Sequence, residues 1–251
     1  MCEKLQLHSR RDALKSFGVI GAGALASIGL AGTLHADEAP TLQARGQHPR
    51  DSDDEPRPMP GTPAEALDAL YKGNARFAAG KMMAPHRNME RLKEVAAGQK
   101  PFAAFLGCAD SRVPVEIVFD QGFGDVFVTR IAGNVADPAI IGSLEFGVEV
   151  LGAQVLYVLG HSKCGAVSAT LKGDAVPGQI STLYQHIRRA AKESGGDLAL
   201  ALDRNVQIQA EILSEASPVI AKRIADGTLL IAGGTYDLET GLVKPVSLTP
   251  R

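Results

Sequence analysis

The chain has 251 residues, of which 45% are hydrophobic and 22% charged, and its formal net charge is −2. This length and balance predict one globular domain and argue against nucleic-acid binding, since 26 Lys and Arg residues are offset by 28 Asp and Glu residues. The absence of tryptophan and an aromatic content of 5% also argue against a surface that stacks single-stranded bases.

Residues 1–36 resemble an export signal of the twin-arginine type. Arg10 and Arg11 precede a mildly apolar stretch of small residues, and we expect cleavage after Ala36. A membrane-anchoring helix is one alternative, which the short length and the glycines disfavour. A dinucleotide-binding fingerprint at residues 21–26 is another, although no βαβ unit surrounds it. The signal predicts export to the periplasm, with no stable membrane anchor after cleavage.

The next segment, residues 37–61, is rich in Pro, Asp, Glu and Arg and has few large apolar side chains. Such a segment buries too little surface to offset its ordering entropy, so we predict a disordered linker followed by a folded domain at 62–251. Thr62 as N-cap and Glu65 in the first turn predict a helix that extends to Ala79. A second, more polar helix is expected through residues 89–97.

Short apolar runs alternate with helical segments in the rest of the chain. This alternation predicts an α/β fold: a mainly parallel central β-sheet of about four parallel strands plus a C-terminal edge strand, flanked by helices. Sites in such sheets form at the carboxyl ends of the strands. The predicted strands cover residues 102–107, 125–130, 154–160, 228–233 and 242–248, and the predicted helices cover residues 138–151 and most of 166–226.

Two short motifs follow predicted strands and supply metal-binding side chains. Cys108, His161 and Cys164 offer two thiolates and one imidazole, a donor set that suits one Zn2+ per subunit. Three protein ligands leave one coordination position open, which is typical of catalytic zinc. The alternatives are a disulfide between the two cysteines and a closed structural site with Asp110 as fourth ligand.

Asp110 and Arg112 accompany the first of these motifs. Arg112 is expected to keep Asp110 ionised and to direct its carboxylate toward the metal-bound water, which it would orient. Zinc lowers the pKa of its bound water to roughly 7. The residues alone therefore predict an enzyme in which zinc-bound hydroxide attacks a small electrophile.

Residues 105–134 and 160–167 together resemble the β-class carbonic anhydrases, and the resemblance extends over the domain from Thr62 onward. It implies a zinc lyase that hydrates carbon dioxide reversibly to bicarbonate and a proton. The three predicted ligands and the carboxylate–arginine pair stand where the family has its zinc ligands and catalytic dyad. A hydrolase of carbon disulfide or carbonyl sulfide with the same fold, and a non-catalytic zinc-bound dimeric binding module, are the alternatives.

The resemblance also implies substrate-binding residues. Gln99 matches a glutamine that hydrogen-bonds substrate, Gly165 offers a backbone N–H beside the same pocket, and Phe127 fits a position in its apolar wall. Some members bind a regulatory bicarbonate through a tryptophan at the position of Phe105, together with an arginine that matches Arg130. Because Phe105 stands where those members have tryptophan, we expect an open site without that regulation, in which Asp110 stays paired with Arg112.

The resemblance further implies a homodimer or a dimer of dimers, with the site at the subunit interface. The helix that begins at Thr62 would then reach over the partner, although the sequence does not say which chain its apolar stripe covers. The residue that accepts the proton beyond the site is not identified, and His86 is a candidate for that role.

Overall fold

The computed structural model describes residues 59–248, which contain a five-stranded sheet with the strand order β2-β1-β3-β4-β5. The first four strands are parallel and β5 pairs antiparallel with β4. The predicted α/β sheet of four parallel strands with a C-terminal edge strand is thus confirmed. The strands are β1 Ala103–Gly107, β2 Val126–Arg130, β3 Val155–His161, β4 Leu230–Tyr236 and β5 Val243–Pro245.

Helices cover both faces of this sheet, as an apolar parallel sheet requires. Every residue of β1 and β3 is buried because these two strands lie inside the sheet and contact helices on either side. The helix predicted at residues 138–151 ends in a π-helical turn, Phe146–Val150. The helices are α1 Pro63–Ala78, α2 Met89–Val95, α3 Val115–Val118, α4 Pro138–Glu145, α5 Gly165–Lys172, α6 Ile180–Glu193, α7 Leu198–Ala216 and α8 Pro218–Ala225.

Helix α1 begins with the predicted capping box. The Thr62 side chain accepts from the Glu65 N–H at 3.2 Å, and the Glu65 carboxylate accepts from the Thr62 N–H at 3.1 Å. Of its apolar stripe, Ala66 and Leu70 are fully buried against the sheet of the same chain, and Leu67, Tyr71 and Phe77 are partly buried there. The stripe therefore contributes to this chain's core.

The predicted export signal at 1–36, and the predicted linker at 37–61 apart from its last three residues, lie outside the described range. Among residues 59–248, no helix combines the length and apolar character needed to span a bilayer.

Candidate metal centre

The register of the sheet brings the two sequence motifs to one edge. Gly107, the last residue of β1, pairs with Leu159 of the adjacent parallel strand β3. Cys108 follows β1, and His161 is the last residue of β3, so both side chains arise at the carboxyl ends of neighbouring strands. Lys163 has φ +56°, a left-handed conformation that lets the chain turn sharply between His161 and Cys164.

Cys108, His161 and Cys164, hereafter the donor cluster, place one ligand atom each within 4.8 Å of the others, and all three are buried. The ring nitrogen His161 Nδ1 lies 2.9 Å from the Ser162 carbonyl oxygen. A carbonyl only accepts, so Nδ1 carries the proton and Nε2 presents a lone pair. This buried Nε2 has no hydrogen-bond partner. An unpaired imidazole nitrogen beside two sulfurs fits a thiophilic divalent cation such as Zn2+.

The two thiols of the donor cluster interact directly. The hydrogen bond from Cys164 lowers the pKa of Cys108, and contacts with His161 and the Gly133 N–H lower it further, against the opposing effect of burial. The same thiol–thiol hydrogen bond and burial raise the pKa of Cys164. The opposite directions of these two shifts have one cause, the hydrogen bond between the sulfurs, which a cation that binds both sulfurs would replace.

Asp110 and Arg112 form a bidentate ion pair beside the donor cluster. The Arg112 Nε and Nη2 atoms donate to Asp110 Oδ1 at 2.9 Å and to Oδ2 at 2.8 Å, and the Arg112 backbone N–H adds a bond to Oδ1 at 2.9 Å. These bonds hold the pKa of Asp110 well below its usual range. Its Oδ2 lies 3.9 Å from His161 Nε2, so the carboxylate lies next to the cluster while remaining paired with Arg112.

Arg130 fixes the backbone on which this pair stands. Its Nε donates to the Cys108 carbonyl at 2.8 Å and its Nη2 to the Asp110 carbonyl at 2.5 Å. Phe105 is fully buried in an aromatic group, with its ring centroid 5.0 Å from that of Phe119 and 5.4 Å from that of Tyr157. Arg130 thus contacts backbone carbonyls, and Phe105 belongs to the core.

The single chain does not bring together all residues that the sequence points to. Gly165 begins α5 directly after Cys164, and a Cβ built on it would meet no atom within 4 Å, so open space adjoins it. Gln99 is exposed and precedes β1, whose length of roughly 16 Å separates it from Cys108. Phe127 lies within β2 and packs against Phe146, with the ring centroids 6.3 Å apart.

One contact of the donor cluster was not predicted from the sequence. The Gly133 N–H donates to Cys108 Sγ at 3.3 Å, and the Gly133 carbonyl accepts from Asn205 of α7. A signal for this contact exists in the sequence: Asn205 and Gln209 are amide residues four positions apart on an otherwise apolar face of α7. Such a pair in a buried stripe indicates a specific polar contact, but the spacing does not identify its partner.

Comparisons with known proteins agree with this geometry. A family model described as carbonic anhydrase matches residues 103–243. Carbonic anhydrase 2 of Mycobacterium tuberculosis is 42% identical over 192 residues, covering 73% of this chain and 93% of the relative. The carbonic anhydrase of Mycolicibacterium smegmatis is 39% identical over 201 residues, covering 74% and 95%. A Coccomyxa β-carbonic anhydrase, solved in complex with acetazolamide, aligns with a TM-score of 0.56 at 28% identity, covering 74% of this chain and 87% of that one.

Proposed function

This chain belongs to the β-class carbonic anhydrases, and we propose that it hydrates carbon dioxide reversibly to bicarbonate and a proton at the donor cluster. The observation that carries the proposal is the position of a bidentate Asp110–Arg112 pair beside three buried soft donors, one of which, His161 Nε2, lacks a partner. A site that only stabilised the fold would need no ionised carboxylate next to its ligands.

Cys108, His161 and Cys164 are the proposed ligands of one Zn2+ per subunit. When bound, zinc supplies a Lewis acid that lowers the pKa of water to roughly 7. The Ser162 carbonyl holds the His161 ring so that Nε2 points its lone pair into the cluster. The Gly133 N–H supports the charge on the Cys108 sulfur. Asp110 is not part of the three-donor cluster, so it stays available for a second role.

We assign that second role to the Asp110 carboxylate as a hydrogen-bond acceptor. An ionised carboxylate only accepts, so a water between Asp110 and the donor cluster must donate to it. That donation turns the oxygen lone pair of the water away from Asp110 and toward the carbon of the substrate. Arg112 occupies both carboxylate oxygens and thereby keeps Asp110 ionised and in one orientation.

The backbone N–H of Gly165 is the proposed contact for the anionic product. It lies at the first turn of α5, where the unpaired N–H groups of the helix favour negative charge. The open space beside Gly165 leaves room for a small anion.

Gln99 and Phe127 complete the site only if a second subunit supplies them. Both lie away from the donor cluster of their own chain, so we propose a homodimer in which each subunit contributes them to its partner. Mixing two inactive variants tests this: Gln99→Ala keeps the zinc ligands, and Cys164→Ser keeps Gln99. Mixed dimers that regain activity support shared sites, whereas mixtures that stay inactive while dimers form would contradict them.

We also propose that the mature enzyme is periplasmic. The twin-arginine-like segment around Arg10 and Arg11 supports this, because that route carries folded proteins and zinc could occupy the two cysteines before they meet an oxidising compartment. Replacing both arginines by lysine should leave active protein in the cytoplasm. Unchanged export of zinc-loaded enzyme would rule the route out. N-terminal sequencing of the exported chain tests cleavage after Ala36.

Stopped-flow measurement of carbon dioxide hydration, with a pH indicator, tests the main proposal. Zinc-loaded wild-type protein should accelerate the reaction, and Cys164→Ser, which loses a ligand, should not. The same protein is then given carbonyl sulfide and carbon disulfide. Turnover of these substrates without hydration of carbon dioxide, or no turnover at neutral and alkaline pH, would refute the assignment.

A further inference from the structure

Two buried amide side chains of α7 contact the loop behind the donor cluster. Asn205 and Gln209 lie four residues apart and are 1% and 0% exposed, so a substrate that arrives from the solvent cannot reach either side chain. A buried amide is costly unless its donors and acceptors are paired. The partners of these two side chains therefore indicate their role.

Both amides hold the backbone of residues 133–136. Asn205 Nδ2 donates to the Gly133 carbonyl at 2.9 Å, and Gln209 Oε1 accepts from the Ala136 N–H at 2.8 Å. Between them, Gln209 Nε2 donates to Asn205 Oδ1 at 3.1 Å and to the His186 carbonyl at 3.2 Å. The backbone determines which side of each amide group is oxygen and which is nitrogen, because the Ala136 N–H can only donate and the Gly133 carbonyl can only accept.

Gly133 connects this amide pair to the donor cluster. Its N–H donates to Cys108 Sγ at 3.3 Å while its carbonyl is held by Asn205. Its φ of +77° suits glycine, and a Cβ there would lie 2.6 Å from Ile187 Cδ1. Gly133 is therefore confined from three directions: by the sulfur, by Asn205 and by the close approach of Ile187.

We propose that Asn205, oriented by Gln209, is a positioning residue for the Cys108 sulfur and sets the zinc affinity of the donor cluster. It fixes the Gly133 N–H on the sulfur, which disperses thiolate charge and restricts the direction of the remaining lone pairs. This inference rests on the proposed zinc site. Residues that hold metal ligands in place typically contribute about 10–100-fold in metal affinity, and we expect an effect of that size.

The test replaces Asn205 by leucine, which has a similar branched shape, no charge and no donor. The matched control is Asn74→Leu, because Asn74 is also a buried amide that holds backbone away from the metal centre. It donates to the carbonyls of Val118 at 3.1 Å and Gly241 at 2.9 Å and accepts from the Val243 N–H at 2.8 Å. Both variants should lower the melting temperature of the metal-free full chain.

Zinc affinity, measured by competition with a chromophoric chelator, should separate the two variants. We expect Asn205→Leu to weaken zinc binding about 10-fold or more and Asn74→Leu to leave it unchanged. Equal zinc affinities in the two variants would overturn the positioning role while leaving the metal site intact. Wild-type protein that binds zinc no better than Cys164→Ser would instead overturn the metal site itself.

A direct readout uses protein loaded with 113Cd and labelled with 15N-glycine. In wild type, the Gly133 amide proton should show a scalar coupling to cadmium through Cys108 Sγ, and Asn205→Leu should reduce it. If Asn205→Leu does not fold, Asn205→Ala removes the same donor without added bulk and is measured in the same way. A wild-type spectrum that lacks the Gly133 coupling overturns the proposal without any variant.

Discussion

His86 and His161 each have an aspartate nearby. They differ because His161 has a buried ring nitrogen without a hydrogen-bond partner. At His86, Nδ1 lies 2.7 Å from Asp125 Oδ1, and Asp125 also accepts from the Gly122 N–H at 2.8 Å. At His161, the 3.9 Å between Nε2 and Asp110 Oδ2 is too long for a hydrogen bond. Asp110 is instead occupied by its arginine, and the buried Nε2 of His161 has no partner.

This difference separates a structural pair from a reactive one. The His86–Asp125 pair anchors a loop: His86 has φ +55°, and its carbonyl accepts from the Phe123 N–H at 2.8 Å. Asp125 directly precedes β2, so the pair lies at the end of the sheet opposite Cys108. Within one chain His86 therefore does not reach the donor cluster as a proton acceptor. Polar groups that satisfy one another's hydrogen bonds hold the fold, whereas a buried, unpaired nitrogen beside two thiols indicates a site.

The largest expected effect comes from replacing each of the two histidines by glutamine. His161→Gln should lose bound zinc and reduce carbon dioxide hydration to background, because it removes one of three metal ligands. His86→Gln should keep both and lose about 1–3 kcal/mol of unfolding free energy, because it removes the partner of a buried carboxylate. Zinc content, stopped-flow rates and denaturant unfolding measure the two variants. Retained zinc in His161→Gln would contradict the assignment of the cluster.

The two aspartates give the next largest effect. Asp110→Asn should bind zinc normally and lower kcat about 100- to 10,000-fold. The NH2 of a carboxamide cannot accept from Arg112, so the remaining oxygen is no longer held toward the water. Asp125→Asn should instead destabilise the protein and leave the activity of the folded fraction unchanged. Both rates are measured on zinc-loaded protein, normalised to zinc content. A wild-type rate in Asp110→Asn would show that the Asp110–Arg112 pair is only structural.

The smallest effect concerns Tyr157, a buried residue whose hydroxyl has a hydrogen-bond partner in the Tyr71 hydroxyl. Burial, chiefly, and the neighbouring Tyr71 raise the pKa of Tyr157 well above 10.0. The folded state thus favours the neutral form of Tyr157. The contribution of Tyr157 to the free energy of unfolding is fully present below the pKa that Tyr157 has in the unfolded chain, and it is lost as the pH rises above that value. Above that pH, wild type should lose up to about 1.4 kcal/mol of unfolding free energy per pH unit through this group.

Tyr157→Phe should lose stability less steeply over the same alkaline range, because it has no phenol to ionise. Denaturant unfolding at a series of alkaline pH values measures the two slopes. Parallel slopes for wild type and Tyr157→Phe would show that the phenol does not contribute. Tyr71→Phe, which removes the hydroxyl 3.4 Å from that of Tyr157 at a partly buried position, is the control.

Local patterns predicted most elements of the fold. The capping box at Thr62 and the apolar runs of the strands lie within a few residues along the chain. They located α1 and β1 to β3 to within about two residues and β4 to within three. The edge strand β5 is shorter than predicted, and its last residue is Pro245, which has no N–H to donate. Helix α3 was not predicted, since its four residues are too few for a helical period to be recognised.

The sequence by itself determined the two donor-bearing motifs, the carboxylate–arginine pair and the strand ends from which they arise, because each of these depends on residues close together in the chain. The register of β1 and β3 brought the two motifs together. Only the tertiary structure decided which buried groups remain unpaired. It also placed Gln99 and Phe127 away from their own donor cluster, and it brought Asn205 to Gly133 across 72 residues. The physical reason is that hydrogen-bond satisfaction depends on every neighbour in space, and those neighbours are set by helix packing on the sheet.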